Sequence, residues 1–259
     1  MPALKIGVQL ASLRLPLKKA LPAAARLGAS AVEIDARGEI KAQELSDTAV
    51  RQLRRMLDDL NLRVCAVGFQ TRRGYDVPEE LERRVAATKA AMKFAHAIGA
   101  AVVINQVGRV PQKPEGPNWD LLVQSLTDLA AYGQRVGALL AAQTGTESGA
   151  DLARLLAALP PQAVGVNLDP AGLLINGHSP IEAVHQLGPN ILHVHARDAV
   201  RDARGQGVEV SLSRGSVDFP ALLGALSEQN YRGYFSVVRY NADDPLTEIG
   251  QAIEYLKSL

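Results

Sequence analysis

The stretch ARLGASAVEI, residues 25–34, sets how this chain is read. Ala25 to Leu27 continue a helical pattern, Gly28 interrupts it, and Ala31, Val32 and Ile34 begin an apolar strand. Glycine adopts the left-handed conformation that ends a helix at little cost. A short strand rich in Val, Ile and Ala suits a parallel sheet covered on both faces. The same phrase recurs as DDLNLRVCAV (58–67), HAIGAAVVI (96–104), QRVGALLAA (134–142), HQLGPNILHV (185–194) and NYRGYFSVV (230–238). Gly99, Gly137, Gly188 and Gly233 stand where Gly28 does, and Asn61, which also tolerates that conformation, replaces glycine once.

The segments between these phrases have helical period. Val50, Leu53, Met56, Leu57 and Leu60 form one apolar stripe, with Ser46 or Asp47 placed to cap its start. A second helix follows Pro78, which falls near its first turn. Strands are predicted near 4–10, 31–35, 63–68, 101–105, 138–143, 164–169, 191–196 and 234–239, each followed by a helical segment. Eight βα units in this length predict an α/β fold, a (β/α)8 barrel formed as one domain over residues 1–259. A doubly wound sheet would want a glycine-rich phosphate turn after its first strand, and VQLASLRLPL is not one. Two long connections, 106–118 and 196–217, fall on the face where barrels place active sites.

Composition narrows the functional classes. Net charge is +1 with both signs interspersed, so nucleic acid is not an expected partner. The single cysteine, Cys65, excludes an intrachain disulfide framework and reads as a small core residue. No apolar run approaches membrane-spanning length, and MPALKIGVQL lacks a signal-peptide core, so a cytoplasmic protein is expected. Aromatic residues make up 4% of the chain, too few for a broad polysaccharide platform, and Trp119 reads as packing. The sequence leaves a homo-oligomer open.

Chemistry concentrates at the predicted C-terminal strand ends. They carry Gln9, Glu33 and Asp35, Gln70, Asn105 and Gln106, Gln143, Asn167 and Asp169, His193 and His195, and Arg239. An unpartnered polar group costs about 1–3 kcal/mol when buried, so this convergence points to a ligand site at the barrel mouth. Side chains alternate along a strand, so Asn167 and Asp169 share a face, as do His193 and His195. A carboxylate and an imidazole from adjacent strands make half of a divalent metal site.

These motifs, VEID, GVNLDP, HVHARD, Gly215-x-Val217-Asp218-Phe219 and GYFSVV in order, resemble the xylose isomerase-like TIM-barrel superfamily over nearly the whole chain. The sugar phosphate isomerase/epimerase group, including tagatose-epimerase-like and hydroxypyruvate-isomerase-like enzymes, is the most similar. The resemblance implies proton transfer beside a sugar carbonyl through an enediolate, with a divalent ion (Mn²⁺, Mg²⁺, Co²⁺ or Zn²⁺) stabilising the charge. Asp169 and His195 match two of the family's four ligands, a strand-six Asp and a strand-seven His, and His193 is the deeper partner of His195. At the other two positions, where relatives carry glutamates that both bind metal and move protons, this chain has Gln143 and Val238. Metal binding is therefore expected to be weak or absent.

Replacement acid–base groups are sought in Glu33, Asp198 and His193, the last if its pKa is near neutral. Glu147 lies four residues past Gln143, where a solvated or helix-start role is expected. Gln9, Asn105, Gln143, Asn167, Arg201 and Arg239 are expected to contact substrate; Arg201 stands where some relatives place a basic group. Arg72, Arg73, Arg109, Lys113, Arg204 and Arg214 are further candidate anion contacts. The expected ligand is a small sugar or sugar phosphate, and the expected activity is that of an isomerase or epimerase with a degenerate metal site. The alternative is a repurposed barrel that binds a sugar-like ligand or a partner without catalysis. An abasic-site endonuclease of the same fold would need a larger His/Asp/Glu cluster and a basic face.

Overall fold

The computed structural model describes residues 3–38, 40–42 and 44–259. Eight parallel strands close into a barrel: β1 (Lys5–Gln9), β2 (Ala31–Asp35), β3 (Arg63–Gly68), β4 (Val102–Asn105), β5 (Leu139–Gln143), β6 (Gly165–Leu168), β7 (Ile191–Ala196) and β10 (Tyr234–Val237). Every predicted strand is found, with bounds within two residues. The helices α1 (Leu17–Arg26), α2 (Asp47–Asp59), α3 (Leu81–Ala97), α4 (Pro117–Val136), α5 (Gly149–Ala157), α6 (Pro170–Ile175), α7 (Pro180–Leu187) and α8 (Phe219–Glu228) lie in the connections between strands, and α9 (Pro245–Lys257) follows the last strand. Their apolar faces and the strands' apolar residues form one continuous core, in which Leu53 and Leu57 of α2 are buried as its stripe requires.

The helix-end rule holds at Gly28, Gly99, Gly137, Gly188 and Asn61, all with positive φ. It fails at Gly233. Asn230 takes the left-handed turn after α8 instead, and the Tyr231 ring lies where a Gly233 side chain would be. Ser46 caps α2 by accepting the Ala49 N–H. Helix α3 starts at Leu81, later than expected, because Glu80 takes the left-handed conformation just before it.

One connection departs from the plain βα pattern. The stretch after β7 contains an antiparallel hairpin, β8 (Asp198–Arg201) and β9 (Gly207–Val210), where the sequence suggested only a long loop. Strands of four residues carry too little periodicity to be read. The barrel register then sets the site, aligning Gln9 with Glu33, Gln143 with Asn167, Asn167 with His193, and His195 with Ser236. Register shifts fall at Val32/Glu33 and at Val166/Asn167. Such irregularities re-aim side chains and are common beside active sites.

Candidate active site

Two carboxylates at the C-terminal strand ends gather the polar side chains of the mouth. The first is Glu33, 2% exposed. Its Oε2 lies 2.8 Å from His195 Nε2, and its Oε1 accepts the Gln9 amide N–H at 2.9 Å. Burial opposes its charge, but attraction to His195, which is protonated at the low pH where Glu33 titrates, and the two N–H bonds outweigh burial and bring its pKa to about 2. An ionised carboxylate only accepts, so His195 Nε2 carries the proton of that bond.

The direction of every further bond follows. His195 Nδ1 meets Asn167 Nδ2 at 3.2 Å, and since an amide nitrogen only donates, Nδ1 accepts. Asn167 Oδ1 then accepts from His193 Nδ1 at 2.8 Å. Burial holds His193 neutral, bringing its pKa to about 3, so its Nε2 accepts from Ser236 Oγ at 2.9 Å. Ser236 in turn accepts from the Cys65 thiol at 3.2 Å. On the other side, Ser12 Oγ donates to Gln9 at 2.8 Å and accepts the Arg239 N–H at 3.0 Å. The near-neutral pKa on which a base role for His193 depended is not met, because the ring is 1% exposed and both its nitrogens are engaged.

The second carboxylate is Asp169, which caps α6 by accepting the Gly172 N–H on Oδ1. Its Oδ2 accepts from Gln143 Nε2 at 3.2 Å and from Arg197 Nη1 at 2.5 Å. Gln143 Oε1 accepts from Gln70 at 2.6 Å, and Gln70 Oε1 accepts the Gln106 N–H. Arg197 is 7% exposed, and its Nε also binds Glu209 of β9 at 3.0 Å. Burial works against the guanidinium charge, but Asp169 first, then Tyr240 and Glu209, raise its pKa above the ordinary value. The Tyr240 ring lies over that guanidinium at 4.4 Å. Glu209 also holds Arg239, 2.8 Å away, and the N–H groups of Tyr240 and Asn241.

The expected residues divide. Gln9, Glu33, Gln143, Asn167, Asp169, His193 and His195 form the two clusters, and Arg239 joins them through Glu209 and Glu248. Asn105 is buried and engaged with Thr71 and the Tyr75 hydroxyl, so it organises the loop after β3. Asp198 turns away from the mouth: its oxygens accept the N–H groups of Ala199, Gly215 and Val217. Arg201 is exposed and bonds Gly205 O within the hairpin turn. Glu147 bonds Thr146 and Val110 N, while Ser148 caps α5. A cleft of about 580 Å³, large enough for a monosaccharide, adjoins Gln143 and is lined by Arg72, Arg73, Arg109, Thr144 and Glu147 among others.

Arg197 and Glu209 were not anticipated. Arg197 shares strand parity with His193 and His195, a signal present in the sequence. Glu209 lies on the hairpin, where no pattern marked it.

A parallel barrel whose mouth is closed by buried, mutually bonded carboxylates, imidazoles and guanidinium defines a TIM-barrel protein with an enzyme-like site. The chain belongs to the xylose isomerase-like TIM barrel family, whose model matches residues 21–259. It is 23% identical to an inosose dehydratase of Clostridium botulinum over 225 residues, 73% of this chain and 72% of that protein. Among solved structures, a xylose isomerase domain protein from Planctomyces limnophilus superposes with a TM-score of 0.87 at 24% identity, over 99% of this chain and 97% of that one. A D-psicose 3-epimerase does so at 0.79 and 14% identity, covering 97% of this chain and 98% of that one. The IolI protein, solved with a bound zinc atom, does so at 0.81 and 17% identity, covering 98% of each chain. Among the described residues, no helix is long and apolar enough to cross a membrane.

Proposed function

We propose that the protein acts on a polyhydroxy ketone, an open-chain sugar or a cyclic inosose, by removing a proton from the carbon beside the carbonyl. The observation that carries this is the convergence of N–H donors on Glu33, a buried carboxylate held ionised at the barrel mouth. In the reaction a C–H bond breaks, the proton passes to the Glu33 carboxylate, and the electron pair moves onto the carbonyl oxygen to give an enediolate. Return of the proton to the other face or to the neighbouring carbon gives the epimer or isomer. Cleavage of the C–O bond at the next carbon instead gives dehydration, the reaction named for the inosose dehydratase relative, with the departing hydroxide taking up the proton held by Glu33 to leave as water. His195 and Gln9 orient the carboxylate; His193 and Asn167 position His195; Gln143 lines the adjoining cleft.

The residues present do not fit the family's divalent ion. Asp169 Oδ2 is already bound to a guanidinium and an amide, Gln143 turns its nitrogen toward Asp169, and Val238 is a buried hydrocarbon. A second group, Glu33, His193 and His195, has ligand atoms within 4.8 Å of one another. There too the atoms are committed: Glu33 and His195 to each other, His193 to Asn167 and Ser236. No step is therefore routed through a metal.

The test is solvent exchange. In D2O with a panel of ketoses and inososes, the protein is expected to introduce carbon-bound deuterium into at least one, read by mass spectrometry. Glu33→Gln should slow this by roughly 10²-fold or more. No exchange with any member, or unaltered exchange in Glu33→Gln, overturns the reading.

A further inference from the structure

We infer that the Arg197 guanidinium takes the place of the divalent cation at this barrel mouth and presents its unbonded edge to the substrate's carbonyl oxygen. The inference rests on the proposed proton transfer for its chemical role, but its geometry stands apart from it.

Three observations carry it. The guanidinium sits on Asp169 Oδ2, an oxygen at one of the two surviving family ligand positions. It is held there from three sides, by Asp169, by Glu209 at Nε and by the Tyr240 ring. Its Nη2 takes no partner among the described residues, although Nε and Nη1 both do. Burying a guanidinium costs several kcal/mol unless carboxylates compensate it. Here β9 supplies Glu209 for that purpose, and Arg239 and two backbone N–H groups hold Glu209 in turn.

Charge balance points the same way. Relative to the family pattern, Gln143 and Val238 remove two carboxylates. Of the four family ligand positions only Asp169 keeps a carboxylate, too little charge to hold a divalent ion, whereas Asp169 together with Glu209 suffices to hold one guanidinium. Two N–H groups on Nη2 match a carbonyl oxygen and its neighbouring hydroxyl. As the C–H bond breaks, the growing negative charge on that oxygen meets a fixed cation already paid for in solvation. Arginine suits the part because it stays protonated and its planar donors are directional.

The test is Mn²⁺ binding by chelator-treated protein, read by titration calorimetry and by the paramagnetic resonance of free Mn²⁺. Wild type should bind no stoichiometric Mn²⁺. Gln143→Glu with Val238→Glu should still bind none, because the guanidinium remains. Adding Arg197→Met to that pair should create a one-site binder. Stoichiometric binding by wild type, or by the double variant, overturns the inference. So does a natively folded triple variant that takes up no Mn²⁺. The exchange assay supplies a separate arm: wild-type exchange should survive chelation and fall at least tenfold in Arg197→Lys. Absence of exchange in wild type sinks the proton-transfer reading alone, while Mn²⁺ binding still decides the place of the guanidinium.

Discussion

At the scale of single residues, the site depends on protonation states set by burial. His193 has a folded pKa of about 3 against an ordinary 6.5, so below 6.5 the unfolded chain binds a proton that the folded chain refuses. Its contribution to stability is complete above 6.5 and is lost as pH falls toward 3. Glu33, at about 2 against 4.5, has the same sign and adds loss below 4.5. Stability should decline on acidification by about 1.4 kcal/mol per pH unit for each proton involved. Urea unfolding from pH 7.5 to pH 4 checks this, and His193→Gln should flatten the upper part of the slope; an unchanged slope would contradict the assignment. Much of this cluster was legible in the sequence, because polar residues at the ends of apolar strands have few roles. The protonation of His193 was not, since burial depth and partners come only from the closed barrel. Asp198 misled for a related reason: its position suggested the mouth, but three backbone N–H groups claim its carboxylate.

At the scale of elements, the short hairpin does more than fill a connection. Glu209 of β9 binds two arginines and two backbone N–H groups, tying the hairpin to the strand ends and to the segment after β10. Glu209→Gln leaves Arg197 and Arg239 each short of a buried counter-charge. It should destabilise the fold by about 3–5 kcal/mol, measured by chemical denaturation, and speed amide exchange in residues 198–210. A loss under about 1 kcal/mol, as expected of an exposed pair, would show that the network is not held dry. The eight barrel strands and their helix ends were readable because one phrase repeats with a physical reason behind it. The hairpin escaped because four-residue strands joined through a polar turn resemble any loop. With it went the partner that explains Arg197.

At the scale of the whole molecule, β1 and β10 pair to close the barrel, joining the first strand to the last. Gly7 lies at this seam, and a methyl group there would stand 3.0 Å from Cys65 Sγ and 3.2 Å from Ser236 Oγ. Gly7→Ala should therefore cost about 1–3 kcal/mol by overpacking, visible as a lower thermal midpoint. Because the displaced atoms begin the row of bonds leading to Glu33, proton exchange with substrate should fall as well. An alanine variant with unchanged midpoint would mean the seam has slack. Barrel class and family were both within reach of the sequence, since they rest on order and spacing along most of the chain. The balance of charge at the mouth was not, because it is settled by Arg197, overshadowed inside its motif by the histidines beside it, and by Glu209 from an unmarked hairpin.

The bonds from Cys65 through Ser236, His193, Asn167 and His195 all point one way, toward Glu33. A row with a single sense cannot be edited at one member alone. If Asn167 turned over, both imidazoles would have to exchange their donor and acceptor nitrogens, the serine its hydroxyl direction, and Glu33 would have to carry a proton to donate to His195. The mouth therefore behaves as one switch with two settings, set by whether Glu33 is ionised, and a ligand that captures only its Glu33 end is felt along the whole row to the Cys65 thiol on β3.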